Sequence, residues 1–253
     1  MGHTDQSEMR IFQIVPDKTF STGKNYYRVL SLDRTTSSLY VGSMNRIYRL
    51  WMYNINDTTD RTFFSTQELR PYYRPVRDCK FHQNAEDEAY LCQNHVRLIT
   101  KTSDSSLVVC GTNAFQPVIA NLDPLTLAVR QKGLDGAAIC PVDPDGNGTA
   151  VWVVRGNPDN RSSIYSATSI SHSDGIIYRP SLVGPLDNGG DGESDKLRFL
   201  RTMPNNKMWL NDPEFVASFD VGDQYVYFFF REFSLEHANC GQYIYSRVAR
   251  ICK

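Results

Sequence analysis

The stretch Val96-Arg-Leu-Ile-Thr-Lys-Thr-Ser-Asp-Ser-Ser-Leu-Val-Val-Cys-Gly-Thr112 decides the fold. An apolar, β-branched run from Val96 to Ile99 leads through polar residues at 103–106 into a second apolar run, Leu107 to Cys110. Two such runs separated by turn residues predict two β-strands joined by a short connection. The second strand ends in Gly111-Thr112, and these small residues suit a strand that is crowded near a central axis.

The same pattern of strand, polar turn and strand recurs along the chain. The second strands end at Gly42-Ser43, Gly111-Thr112, Ala167-Thr168 and the bulkier Phe230-Arg231. These endings recur at intervals of about 56–69 residues, which is typical of the four-stranded blades of a β-propeller, and helical periodicity is nearly absent. A β-sandwich also has short strands separated by turns, so that alternative stays open at this level. The pattern therefore predicts an all-β protein with about four repeating units.

Composition and charge exclude several classes of protein. The 253 residues carry 27 Lys and Arg against 28 Asp and Glu, so the formal net charge is −1. This balance lacks the basic footprint of a general nucleic-acid binder, and we expect no nucleic-acid partner. The longest apolar run, Tyr225 to Phe230, is far too short to cross a bilayer, so we expect no membrane insertion. Residues 1–10 contain no apolar segment of the kind found in a secretory signal.

The sequence contains no complete catalytic or metal-binding motif. Asp143 to Gly148 matches the first half of a calcium loop, but Val154 stands at the twelfth position, where a bidentate Glu is required. We interpret this segment as a tight turn. The acidic, glycine-rich segment Pro185 to Asp195 is interpreted as a solvated loop, and the five histidines, His95 among them, show no ligand spacing. We therefore expect no catalytic residue, no metal site and no cofactor.

Four of the six cysteines form two candidate disulfides. Cys79 and Cys92 enclose a polar, acidic loop, which a disulfide would stabilise by about 3 kcal/mol. Cys110 and Cys140 lie 30 residues apart and could pair.

The other two cysteines and three N-glycosylation sequons complete the sequence features that indicate the cellular compartment. Cys240 and Cys252 flank an alternating strand whose length holds its ends too far apart for a disulfide. Cys252 therefore suggests a partner beyond the chain end, and the partner of Cys240 is not assigned. The sequons begin at Asn56, Asn147 and Asn160 and lie in polar or turn-rich segments. The even cysteine count and the sequons together favour an oxidising, extracellular compartment.

Seven ordered motifs cover nearly the whole chain from about Tyr26 onward. They are Cys92-Gln-Asn-His-Val-Arg-Leu98, Cys110-Gly-Thr-Asn-Ala-Phe115, Cys140-Pro-Val-Asp-Pro144, Ile164-Tyr-Ser-Ala-Thr168, Trp209-Leu-Asn-Asp-Pro-Glu-Phe-Val216, Tyr225-Val-Tyr-Phe-Phe-Phe-Arg-Glu232 and the segment 240–253. In this order they resemble the sema domain of the semaphorin family. Asn94-His-Val-Arg97 and Arg155-Gly-Asn-Pro158 are most similar to secreted invertebrate class-2 semaphorins.

The resemblance implies a seven-bladed β-propeller, present here incompletely, with about four blades. It assigns residues 1–25 to an N-terminal lead-in with a first strand, and residues 26–253 to a partial sema domain truncated on its C-terminal side. It implies a secreted protein without enzyme activity that binds the plexin receptor ectodomain to guide axons, typically by repulsion, and that forms a homodimer in its full-length parent. The motifs do not assign the receptor-contact residues.

The resemblance also bears on the cysteines. Cys79–Cys92 matches a disulfide of the family, whereas the usual partner of Cys110 is missing from the segment 116–121, which leaves Cys140 as the candidate. Cys252 matches a cysteine whose family partner lies far downstream. The first hypothesis is therefore a fragment of a guidance ligand. The alternative is a truncated gene product or isoform whose incomplete propeller exposes sheet edges and does not signal through a receptor.

Overall fold

The computed structural model describes residues 25–82, 84, 89–171, 173–182, 198–204, 206–236, 241 and 243–253. Three predictions lie outside the described residues: the first strand near Phe12 to Val15, the loop from Pro185 to Asp195, and any pairing of Cys240. The described residues form four antiparallel sheets in which strands follow one another in chain order.

Each sheet is one blade of the propeller. Blade 1 contains β1 (Val29–Asp33), β2 (Ser38–Ser43), β3 (Arg46–Trp51) and β4 (Ser65–Glu68). Blade 2 contains β5 (Val96–Ser103), β6 (Ser106–Gly111), β7 (Val118–Leu122) and β8 (Val129–Asp135). Blade 3 contains β9 (Gly148–Val153), β10 (Ser163–Ser169), β11 (Gly175–Arg179) and β12 (Leu200–Arg201). Blade 4 contains β13 (Glu214–Val221), β14 (Tyr225–Phe233) and β15 (Ile244–Cys252).

The blades follow one another around an axis lined by their first strands. β1 contacts β5, β5 contacts β9, and β9 contacts β13. Side chains between blades 1 and 2, such as Leu107 and Leu122, are fully buried, as is Phe228 between blades 3 and 4. Burying a side chain of this size stabilises the fold by about 1.5–3 kcal/mol. The propeller prediction is confirmed, and the sandwich alternative is wrong because each sheet packs against the next around the ring instead of forming one pair.

The small residues that end the repeats lie on the second strand of each blade, not on the strand nearest the axis. A Cβ atom added at Gly42 of β2 would lie 2.5 Å from a methyl carbon of Val29 and 2.6 Å from one of Val96. A Cβ atom at Gly111 of β6 would lie 2.2 Å from the Oδ1 atom of Asn94. The glycines are therefore required by the close approach of neighbouring first strands and loops. These small residues are crowded, as the sequence predicts, but they lie on the second strand of each blade and not on the strand nearest the axis.

Helix α1 (Tyr73–His82) and a 3-10 helix (Pro158–Asn160) lie between strands in the part of the chain that the structure describes. α1 lies in the connection between β4 of blade 1 and β5 of blade 2. Only Pro75 and Cys79 of α1 are fully buried, so the segment lacks the apolar periodicity by which a helix is recognised in sequence. No helix of the described residues is long and apolar enough to span a membrane.

A polar contact joins blades 1 and 2 at the end of the sheets opposite α1. The Lys101 ammonium lies 2.9 Å from the Asp33 carboxylate, which also accepts hydrogen bonds from the hydroxyl groups of Thr35 and Thr36. Burial of Asp33 acts to raise its pKa, but the hydrogen bonds from Thr35, Lys101 and Thr36 outweigh burial and hold the pKa well below its usual range. The carboxylate therefore stabilises the fold in its charged form.

Candidate functional site

Five exposed side chains of helix α1 form a mixed aromatic and cationic face. We call this face the α1 surface; its members are Tyr73, Arg74, Arg77, Lys80 and Phe81. Tyr73 is 81% exposed and Phe81 is 86% exposed. At about 100° per residue the five side chains fall within roughly 120° of the helix circumference, away from the buried Pro75 and Cys79. Large aromatic side chains so fully exposed beside arginines have the composition of a protein-binding surface.

The α1 surface is attached to blade 2 by a disulfide. Cys79 is bonded to Cys92, with Cα atoms 5.7 Å apart. Cys92 is fully buried, and Ala114 and Phe115 from the connection between β6 and β7 pack against the pair. The disulfide therefore lies between α1 and blade 2 and anchors the side of the helix opposite the exposed face.

A network of asparagines fixes the start of α1. The Asn94 side chain donates from Nδ2 to the Leu69 carbonyl at 2.7 Å and accepts at Oδ1 from the Asn113 N–H at 2.9 Å. Asn113 in turn accepts at Oδ1 from the Tyr72 N–H at 2.8 Å. The backbone N–H of Asn94 donates to Oδ1 of Asn45 in blade 1, at 2.9 Å. Because these amides satisfy backbone groups in three segments, they hold the α1 surface in one position relative to blades 1 and 2.

A second cluster links three blades at the same end of the propeller. The Tyr90 hydroxyl donates to the Asp145 carboxylate at 2.6 Å, and Arg28 binds the same oxygen at 2.9 Å. Burial and the hydrogen bond to Asp145 raise the pKa of Tyr90 to about 12. The fully buried His95 contacts the Tyr90 carbonyl through Nε2 at 2.8 Å, and burial lowers its pKa to about 4. His95 is thus a neutral packed side chain, and the cluster is a structural link between blades.

The segment Asp143 to Gly148 forms a turn held by blade 2. The Gly146 N–H donates to the Asp143 carbonyl at 3.1 Å, and the Asp145 N–H donates to Oδ1 of Asp143 at 2.7 Å. Arg97 of β5 donates to the carbonyl groups of Pro144 and Gly146. Asp143 therefore caps its own turn. Among the described residues, no group of three or more His, Cys, Asp or Glu is placed to hold a metal ion.

A second disulfide joins blade 2 to the connection that leads into blade 3. Cys110 of β6 is bonded to Cys140, and both are buried, with Cα atoms 6.1 Å apart. Cys252, at the end of β15, is an exposed free cysteine. Cys240 lies outside the described residues.

The three sequon asparagines lie in different environments. Asn56 is exposed in the connection between β3 and β4, and Asn160 is exposed at the end of the 3-10 helix. Both connections lie at the end of the sheets opposite α1. Asn147 lies at the α1 end, where its Oδ1 accepts from the Phe215 N–H at 2.8 Å and its Nδ2 contacts the Pro213 carbonyl at 3.4 Å. The Asn147 amide thus connects blades 3 and 4, so the structure does not favour it as a glycan acceptor.

The comparisons with known proteins decide the family. No family model matches the chain. Semaphorin-2A of Schistocerca gregaria is 39% identical over 243 residues, which are 92% of this chain and 33% of that protein. The solved structure of Drosophila Semaphorin 2a superposes with a TM-score of 0.76 at 35% identity, over 90% of this chain and 36% of that one. The chain belongs to the semaphorin family. Within the family it resembles the invertebrate class-2 members, as the sequence motifs predict.

This semaphorin chain spans about one third of the length of the Semaphorin-2A relatives it matches. A further solved structure, Drosophila Plexin A in complex with Semaphorin 1b, matches with a TM-score of 0.66 at 26% identity, over 90% of this chain and 38% of that one.

The α1 surface of this semaphorin was not found from the sequence. The segment 70–82 does contain the relevant signal, since four arginines and lysines alternate with Tyr72, Tyr73 and Phe81 around a cysteine. In the aromatic run of β14, Phe228 and Phe230 are buried and Phe229 is 41% exposed.

Proposed function

We propose that this chain is part of a secreted semaphorin ligand that binds the ectodomain of a plexin receptor and thereby guides axons, typically by repulsion. The observation that carries the proposal is the match to a semaphorin fold in the structure of Drosophila Plexin A in complex with Semaphorin 1b. Homodimerisation of the full-length protein and N-glycosylation at Asn56 and Asn160 belong to the same proposal. No enzyme activity is part of it.

The α1 surface is the receptor-contact region that the geometry favours. Residues 70–82 carry four cationic side chains, Arg70, Arg74, Arg77 and Lys80, against one carboxylate, Asp78. A hydrogen bond with Asp78 raises the pKa of Arg77, so this guanidinium stays charged. A solvated basic helix would also be cationic, but it would have no reason to expose Tyr73 and Phe81 almost completely. Tyr and Arg dominate the binding energy of many interfaces, and the contacts that hold α1 in one position lower the entropy cost of ordering this helix on association.

The test measures binding of the full-length parent protein to plexin ectodomains by surface plasmon resonance. The double variant Tyr73→Ala/Arg77→Glu is compared with Tyr53→Ala/Arg61→Glu. The control pair has the same chemistry but lies in the connection between β3 and β4, at the opposite end of the blades. We expect the α1 variant to bind at least about tenfold more weakly, which corresponds to about 1.4 kcal/mol, and the control to stay within about twofold of wild type.

Each outcome has a separate meaning. Absence of wild-type binding to any plexin would refute the receptor function and support the alternative of a product without receptor signalling. Wild-type binding that the α1 variant leaves unchanged would preserve the ligand function and refute the α1 surface as its contact region.

A further inference from the structure

A cavity of about 350 Å³ lies between blades 1 and 2, beside the start of α1. Its volume is at the lower end of the roughly 300–1,000 Å³ range of ligand pockets, so it suits a small group better than a large cofactor. One wall consists of the connection that leads from β4 into α1, including Arg70 and Tyr72. The other wall is blade 2. The cavity therefore shares Tyr73 with the α1 surface.

The blade 2 wall is apolar at its floor. Val118, Ala120 and Val129 line the cavity together with the cation Lys132. In the strand register Val129 pairs with Leu122 and Lys132 pairs with Ala120, and both partners pack between blades 1 and 2. Leu134 pairs with Ile119, whose side chain packs towards blade 3 with Cys110 and Ile164. Since paired residues share one face of a sheet, Val129 and Lys132 face blade 1, whereas Leu134 lies on the opposite face.

The rim of the cavity is cationic. The Lys132 ammonium lies 5.7 Å from the centre of the Tyr72 ring. Arg70 forms a 2.8 Å ion pair with Glu68, the one carboxylate among the lining residues. Gly133 has φ of +87°, and a Cβ atom there would lie 3.2 Å from the Tyr72 hydroxyl, so the glycine lets Tyr72 approach β8 and close the wall. With the adjacent arginines of the α1 surface, the rim attracts an acidic partner.

We infer that this cavity receives one apolar side chain from an acidic segment of the receptor, whose neighbouring carboxylate meets Lys132. The inference rests on the proposed plexin-binding function and adds a pocket to the α1 surface. An apolar floor with a cationic rim matches an aliphatic side chain next to Asp or Glu, since the floor desolvates the aliphatic group and the rim pairs with the charge. A recessed anchor of this kind supplies the central contact of an interface, while the exposed α1 side chains surround it.

The test fills the cavity and measures plexin binding by the full-length parent protein. Val129→Trp places an indole against the floor, and Leu134→Trp is its matched control on the same strand but the opposite face. The two native side chains are similarly exposed, at 37% and 42%. We expect Val129→Trp to weaken binding at least about tenfold and Leu134→Trp to stay within about twofold of wild type. Lys132→Glu, which leaves the floor intact, is expected to weaken binding by a similar factor.

Two readouts separate failure of the pocket from failure of the receptor function. If wild type binds plexin and both Val129→Trp and Lys132→Glu bind equally well with unchanged thermal unfolding, the pocket inference is overturned and the ligand function stands. The second readout needs no plexin. The probe N-acetyl-Leu-Asp-amide, titrated to millimolar concentration, is expected to shift the methyl NMR signals of Val118 and Val129 in wild type and not in Lys132→Glu. Absence of these shifts in wild type would also overturn the inference.

Discussion

Replacing Asn94 by alanine tests whether the asparagine network holds α1 in place. The Asn94 side chain is buried and has two partners, the Leu69 carbonyl at 2.7 Å and the Asn113 N–H at 2.9 Å. Alanine reaches neither of them. A backbone donor and a backbone acceptor would then be left without a partner at the junction of blades 1 and 2.

The expected cost follows from these two groups. Leaving a buried polar group unsatisfied costs about 1–3 kcal/mol, so losing the partners of two such groups in Asn94→Ala should destabilise the fold by about 2–6 kcal/mol. Since 1 kcal/mol shifts Tm by about 2–4 °C in a domain of this size, we expect Tm to fall by about 4–24 °C. A water molecule that enters the space would bring the loss to the lower end of this range.

Thermal unfolding followed by circular dichroism, together with amide hydrogen exchange at Asn113, measures the effect. The matched control is Asn121→Ala, because half-buried Asn121 accepts a single side-chain hydrogen bond, from the Ser106 hydroxyl at 2.8 Å. We expect the control to cost less than about 1 kcal/mol. A loss below about 0.5 kcal/mol for Asn94→Ala, or an Asn113 amide that remains as protected as in wild type, would refute the network as the support of α1.

Three further predictions follow from other contacts. Gly156→Ala should lower Tm far more than Gly222→Ala. Both glycines have positive φ, but a Cβ atom at Gly156 would lie 2.0 Å from a carbonyl oxygen, whereas one at Gly222 would meet nothing within 4 Å. Equal decreases in Tm for the two variants would contradict this prediction. Because the pKa of Asp33 is depressed in the folded state, the charged carboxylate stabilises the fold above about pH 4, and this stabilisation disappears as pH falls. Asp33→Asn should therefore lose less stability than wild type between pH 5 and pH 2. Parallel curves of unfolding free energy against pH for the two proteins would exclude the effect. Mass spectrometry of secreted protein before and after glycosidase treatment should find glycans at Asn56 and Asn160 and none at Asn147. Three occupied sites would contradict the structural role of the Asn147 amide.

Most of the blade architecture could be predicted from the sequence, because the strands are short apolar runs separated by turns. The second-strand endings at Gly42, Gly111, Ala167 and Phe230 occupy β2, β6, β10 and β14. Helix α1 could not be predicted, since a disulfide and side chains from distant segments hold it instead of an apolar stripe of its own. For the same reason the α1 surface and the adjacent cavity do not appear in any local pattern.

The amino-acid sequence by itself determined the all-β class, the positions of the four blades along the chain and the family, because strand periodicity and ordered motifs are local properties. Only the tertiary structure decided which functions individual polar residues have. Asn147 is a sequon in the sequence and a bridge between blades 3 and 4 in the fold. Asn94 and Asn113 are motif residues whose partners lie up to 49 positions away in the chain. Hydrogen bonds and cavities depend on which surfaces meet, and that is settled only when the blades pack.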